Sequence, residues 1–270
     1  MNALTQTRDE PPKVPVLGLA LSGGGARGIA HLGVLAALDE LQLPIGRLSG
    51  VSSGGIAAAF YAAGVSPREI LRLLQELRIS RLTRIALSRY GLLRMDAVGV
   101  LFKQHLGAGC TFEQLRLPLT LVATDLLAGC SVRFASGLLV PPLLASSAVP
   151  ILYRPVEYQG RQLVDGGLLN NLPVEALLNP LQLELRVVGV HCNPPNPEAQ
   201  VNNFRALVER TLNLAIGGNT VVSKQQCHLL LEPPELRQYR TMSFRRAPEL
   251  FDIGYRYTLE QARALENLLC

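Results

Sequence analysis

Residues 16–35 read VLGLALSGGGARGIAHLGVL, and the order of the parts in this stretch decides the fold class. The apolar run that starts at Val16 and reaches Ser22 has no polar alternation, as expected of a strand buried on both faces. A glycine cluster follows it, and then apolar residues recur at helical spacing at Ile29, Leu32, Val34, Leu35 and Leu38. The stretch is therefore a strand, a tight loop and a helix. The unit repeats at once, with Ile45 to Val51 as a second strand and Gly54 to Ala63 as a helix of small residues stopped by Gly64. Ser66-Pro67 opens another helix, with Ser as cap and Pro in the first turn, carrying Ile70, Leu71, Leu73, Leu74 and Leu77. Further along, Leu119 to Asp125 and Arg186 to Cys192 predict buried strands, and Pro155 to Val164 predicts a hairpin turning at Gln159-Gly160. Asn202 to Ile216 and Thr258 to Leu269 have helical patterns. Strands and helices in this alternation predict an α/β fold, a three-layer α/β/α sandwich with a largely parallel central sheet.

The chain of 270 residues suits one α/β domain, expected over residues 14–270 behind a disordered tail, residues 1–13. That tail mixes Thr, Arg, Asp, Glu and a Pro pair, so it lacks the charged start and apolar run of a secretory signal. The apolar stretches fall well short of the roughly 20 residues that span a bilayer, so any membrane contact is expected to be peripheral. Cys110, Cys130, Cys192, Cys227 and Cys270 are odd in number and widely spaced, with no C-x-x-C pair for zinc or redox work. They read as reduced thiols of a cytoplasmic protein. A formal net charge of +5 is mild and has no aromatic–basic interleaving beside it, which points away from nucleic acid as a partner.

Gly23-Gly24-Gly25-Ala26-Arg27-Gly28 fits G-x-G-x-x-G between a strand and a helix. One use of such a loop is to hold a dinucleotide, which also calls for an acid at the end of the second strand to take the ribose hydroxyls. Here that strand ends Leu48-Ser49-Gly50-Val51-Ser52, with no carboxylate. The other use is to aim backbone N–H groups at a negative oxygen, and the oxyanion of acyl transfer is such a target. The glycines could also serve only a tight turn against the sheet.

Gly50-Val51-Ser52-Ser53-Gly54 matches G-x-S-x-G in the strand-to-helix context that a nucleophile elbow needs. Glycines on both sides leave room for a strained turn that exposes Ser52, whereas Ser53 would break their spacing. A plain helix cap is the non-catalytic reading. A serine hydroxyl also needs a base. Among the four histidines, His31, His105 and His228 sit in helix or strand patterns and read as packing residues. His191 ends a strand before a loop and could complete a triad with Ser52 and an aspartate. Its competitor is Asp165 in Val164-Asp165-Gly166-Gly167, a carboxylate closing an apolar strand before two glycines that let other backbone approach. Asp-Gly is also a common turn pair, and a free carboxylate is a poor base unless burial raises its pKa.

With these three sites in place, the chain resembles the patatin-like phospholipase family, most closely its short single-domain bacterial members, from about Val16 to Val190. The resemblance rests on Leu21 to Gly28 with His31 to Leu35, on Gly50 to Gly55, and on Val164 to Gly167 followed by Asn170-Asn171-Leu172-Pro173-Val174. Ala123-Thr124-Asp125 is similar to a family strand end, and Ala145 to Pro150 to the family helix before the catalytic aspartate. The resemblance implies an esterase or phospholipase acting on a lipid acyl ester through an acyl-enzyme. In that reading Ser52 attacks, Asp165 takes its proton, and Gly23, Gly24 and Gly25, with Arg27 and Gly28, hold the oxyanion. No metal and no organic cofactor is implied. Past Val190 the likeness weakens at His191-Cys192, which keeps a His-assisted variant open. A dinucleotide-binding module and a catalytically silent lipid-binding member of the fold are the alternatives from other classes.

Arg78, Arg81, Arg84, Arg89 and Arg94 are interleaved with Ile79, Leu82, Ile85, Leu87, Leu92 and Leu93 without nearby acids. This apolar and basic mixture suits an anionic membrane surface, and the expectation is peripheral docking at the inner membrane face through Arg78 to Arg94.

Overall fold

The computed structural model describes residues 15–76, 95–178 and 184–270. Arg78 to Arg94 and the tail of residues 1–13 lie outside the described residues. The strands are β1 (Val16–Leu21), β2 (Ile45–Gly50), β3 (Leu119–Asp125), β4 (Cys130–Phe134), β5 (Val156–Tyr158), β6 (Arg161–Asp165), β7 (Leu185–Val190) and β8 (Leu229–Leu231). They form one sheet whose hydrogen-bonded path runs β5-β6-β3-β2-β1-β7-β8, with β4 also on β3. The pairs β3–β2, β2–β1, β1–β7 and β7–β8 are parallel. The hairpin strands β5 and β6, and β4, run antiparallel to their neighbours. The largely parallel sheet expected from residues 16–63 is thus present, with an antiparallel margin.

The principal helices are α1 (Ala30–Glu40), α2 (Ser52–Ala62), α3 (Pro67–Glu76), α4 (Asp96–Leu106), α5 (Val140–Ser146), α6 (Phe204–Gly218), α7 (Val221–Gln225), α8 (Ala247–Glu260) and α9 (Ala262–Asn267). The period of two in each strand sends alternate side chains to opposite faces. Leu17, Leu19 and Leu21 of β1 and Val188 and Val190 of β7 enter the main core, which includes buried residues of α1, α2, α3 and α8. Ala20 and Val187 enter a smaller core with Leu172, Val174 and Leu177 on the other face. The sandwich is therefore lopsided, with a thick helical layer on one side and a thin one on the other.

α1 is buried almost all round because α8 covers the side turned from the sheet. Two glycines permit that crossing. A β-carbon on Gly33 would stand 2.0 Å from the Phe251 carbonyl oxygen, and one on Gly254 would stand 2.1 Å from that of Ala30.

Several boundaries differ from the sequence reading. α8 begins at Ala247, eleven residues before Thr258, and a break at Gln261 separates it from α9; Pro248 sits in its first turn, where a missing N–H costs nothing. α5 spans Val140–Ser146 rather than starting near Ala145, again with prolines in its first turn. β4 had no apolar signal because most of its residues are exposed. The hairpin of β5 and β6 does turn at Gln159-Gly160, both with positive φ (50° and 72°), the backbone that a tight two-residue turn needs.

Candidate active site

β3 acts as a ruler for the site. Leu121 pairs with both Gly50 and Phe134, and Ala123 pairs with both Val132 and Asp165. A residue has one partner on each side, so β4 fills one side of β3 while β2 and β6 follow one another along the other. The parallel β2 and the antiparallel β6 therefore point their C-terminal ends at each other. Gly50 and Asp165 sit two ruler residues apart, about 7 Å. The glycine loop leaves the C-terminal end of β1, next to β2, so all three sequence motifs meet at one edge of the sheet.

Val51 is still extended (φ −139°, ψ 141°), and Ser52 then flips to φ 52° as α2 begins. A left-handed serine costs about 1–2 kcal/mol, held here by packing around the turn. The flanking glycines permit it. A β-carbon on Gly50 would meet Gly54 and Gly55 backbone at 2.8 Å, and one on Gly54 would stand 2.3 Å from the Leu21 carbonyl oxygen. The Ser52 N–H donates to Ser146 Oγ at 3.0 Å, which ties the elbow to the end of α5. Ser53 turns the other way, and a β-carbon on Gly28 would lie 2.1 Å from its Oγ, so the spacing of the loop glycines gives Ser53 its room.

Asp165 is buried, with only 6% of its surface exposed. Gly167 N–H donates to its Oδ1 at 2.8 Å. Burial raises its pKa from 3.8 to about 6, against the hydrogen bonds of Ser52 and Gly167, which favour the carboxylate. The turn that follows is clamped from outside. Asn219 Nδ2 donates to the carbonyls of Gly167 and Leu168 at 3.0 and 3.1 Å, while its Oδ1 accepts from Asn171 N–H at 3.0 Å.

Gly23 lies beside the serine: a β-carbon there would be 3.2 Å from Ser52 Cβ and 2.5 Å from Asn171 Oδ1. Among the described residues, no acceptor meets the backbone N–H groups of Gly23, Gly24 and Gly25. Their neighbours do have acceptors, Ser22 N–H at Val190 and Ala26 N–H at Thr241. Arg27 departs from this group. Its buried guanidinium donates to Thr241 Oγ1 at 3.3 Å, and Thr241 donates in turn to Glu209.

His191 is fully buried, and its Nδ1 lies 2.5 Å from Glu232 Oε1, which also accepts from Lys224. Burial holds the imidazole below its ordinary pKa despite the carboxylate, so the neutral ring donates Nδ1–H to Glu232. His31 is likewise buried, pushed down to about 4 by desolvation, and its Nε2–H donates to Ser22 O at 2.7 Å. His228 accepts from Val187 N–H. Nδ1 of the strand-end histidine is thus engaged in a neighbouring polar cluster with Glu232 and Lys224, while its buried Nε2 meets no partner among the described residues. Ser146 and Asn171 lay within stretches that carry the family resemblance but were given no role of their own, and Asn219 was not singled out. Asn219 had no signal at all, because its partners lie about fifty residues away along the chain.

The patatin-like phospholipase family model matches residues 19–178. Uncharacterized NTE family proteins of Mycobacterium bovis and Mycobacterium tuberculosis are 40% identical over 171 residues, which cover 59% of this chain and 45% of theirs. The match thus spans less than half of those relatives' length. A lysophospholipase NTE1 of Meyerozyma guilliermondii is 24% identical over 90% of this chain and 19% of its own. VipD from Legionella pneumophila is similar in fold, with a TM-score of 0.60 at 16% identity over 94% of this chain and 67% of its own. Human GIVD cytosolic phospholipase A2, in complex with methyl gamma-linolenyl fluorophosphonate, has a TM-score of 0.52 at 16% identity over 97% and 60%.

Proposed function

The chain belongs to the patatin-like phospholipase family, and from that premise we propose that it hydrolyses lipid acyl esters with Ser52 as nucleophile and Asp165 as base. One observation carries the reading: a serine on a left-handed strand-to-helix turn faces a buried carboxylate whose pKa is raised to about 6. At neutral pH that carboxylate is ionised yet basic enough to accept a proton in the transition state. Ser52 Oγ attacks the acyl carbonyl, and its proton passes to Asp165. The carbonyl oxygen becomes an oxyanion, for which the unpaired N–H groups of Gly23, Gly24 and Gly25 are ready donors. Collapse breaks the ester C–O bond, and the leaving alcohol takes the proton from Asp165. Water then attacks the acyl-enzyme, giving its proton to Asp165; collapse returns that proton to Ser52 Oγ and frees the carboxylic acid.

Gly28 supports the elbow by making room for Ser53, and Arg27 anchors the far side of the loop to Thr241; neither donates to the oxyanion in this reading. The dinucleotide alternative is weaker, because β2 ends at Gly50 and Val51-Ser52 follow, with no acid for a ribose. No helix among the described residues is long and apolar enough to cross a membrane. Labelling with a fluorophosphonate probe tests the mechanism: wild type should label, Ser52→Ala should not, and Asp165→Asn should label far more slowly. Undiminished labelling of Ser52→Ala would overturn it, and a folded wild type that never labels would favour a silent lipid-binding member.

A further inference from the structure

α6 carries an apolar strip on its solvent side, in addition to Val208, Leu212 and Ile216 on its half-buried side. Phe204, Leu207, Thr211 and Leu214 recur at intervals of three and four, which places them on one face. All four are exposed, Phe204 to 81% and Leu214 to 60%. Val221 and Val222, at 54% and 63%, continue the apolar surface into α7. Arg210, three residues after Leu207 and four before Leu214, borders the strip with a cation, whereas Glu209, the acid of α6, is turned to Thr241 and fixed by two hydrogen bonds. Water is the least favourable neighbour for such a face.

We propose that this face rests on a lipid surface and brings the mouth of the Ser52 site to the bilayer. The inference depends on the reading of that site as a lipid acyl hydrolase. Three observations select the occupant. The face is continuous with the site, since Asn219, which caps α6, is hydrogen-bonded to Gly167 and Leu168 just after Asp165. It is a narrow strip, about 22 Å long from 15 residues and about 10 Å wide, roughly a quarter of the area that each partner of a stable protein interface contributes. A helix lying in the headgroup region needs no more than such a strip. The chain also carries a net charge of +5, which favours anionic bilayers over neutral ones.

The test uses the full chain with Ser52→Ala, so that binding is read without turnover, and vesicles of mixed phosphatidylcholine and phosphatidylglycerol. This protein should float with the vesicles. Adding Phe204→Ser, Leu207→Ser and Leu214→Ser should weaken vesicle binding by about tenfold or more while leaving the melting temperature unchanged, because these side chains are already in water. With Ser52 restored, the triple variant should hydrolyse a soluble short-chain ester at the wild-type rate and vesicle lipid more slowly. Equal vesicle binding with and without the three serines would overturn the proposal. So would a wild-type dimer that the three substitutions convert to monomer, which would make the face a contact between copies. Vesicle binding that depends on the face, in a protein inert to every ester, would sink the hydrolase reading and leave the lipid contact standing.

Discussion

At the scale of single residues the site depends on what burial does to one carboxylate. Asp165 ionises near pH 6 in the folded protein and near its ordinary 3.8 when unfolded. The rate constant kcat/KM for a soluble ester should therefore rise with pH through about 6 and then level off, as expected of a base that must be ionised. A rise centred nearer 7 that vanished in His191→Ala would point to the histidine instead. Stability should run the other way. The folded state holds the proton more tightly, so ionising Asp165 costs stability as pH climbs from about 4 to about 6, by about 3 kcal/mol at most. Asp165→Asn keeps the acceptor for Gly167 N–H and removes the buried charge. Its melting temperature relative to wild type should thus be higher at pH 7.5 than at pH 4, and an equal offset at both would contradict the raised pKa. In rate, Ser52→Ala and Asp165→Asn should each lose nearly all turnover, because residues that act as one unit are not additive. His191→Ala should lose little, since its hydrogen bond goes to Glu232.

At the scale of elements, helices approach where glycines let them. Gly254→Ala puts a methyl group 2.1 Å from the Ala30 carbonyl oxygen, and backbone cannot swing aside as a side chain would. α1 and α8 must separate, so urea denaturation should show a loss of about 1–3 kcal/mol. α1 follows the glycine loop directly, and a measurable fall in esterase rate should accompany that loss. An unchanged denaturation midpoint would mean that the crossing is looser than described. The basic segment can be tested in the same spirit. Replacing Arg81, Arg84 and Arg89 by Gln should reduce activity on anionic vesicles and spare a soluble ester, with the difference fading in high salt as charges are screened beyond about 10 Å at 0.1 M. Equal losses on both substrates would assign the segment a structural role.

At the scale of the molecule, the parallel strands β3, β2, β1 and β7 carry their loops to one edge, and the chain order reverses direction at β1. Sites in open α/β sheets form at such a reversal, beyond the C-terminal strand ends. A dinucleotide fold could use the same edge, so the distinction is chemical. Neither NAD nor FAD should raise the melting temperature, because no carboxylate closes β2; a shift of several degrees from either would revive the dinucleotide reading.

The alternation of strand and helix, the glycine loop, the elbow at Ser52 and the strand end at Asp165 were all legible in the chain before any fold was known. These are local patterns, written in the spacing of apolar residues and glycines over ten or twenty positions. The sequence did not reveal β4, whose exposed residues lack a period, or the start of α8, where a helix turn built on Pro248 hides among charges. Asp165 and His191 both close apolar strands, so local pattern left both open, and it was the family resemblance that favoured Asp165. What sets their surroundings apart is long-range neighbours. β6 runs antiparallel along β3 and so aims Asp165 at Ser52, while β8 lies beside β7 and supplies Glu232 to His191. Burial of the carboxylate, and with it the raised pKa, exists only once residues more than a hundred positions apart have packed together, so no local stretch of the chain carries that signal.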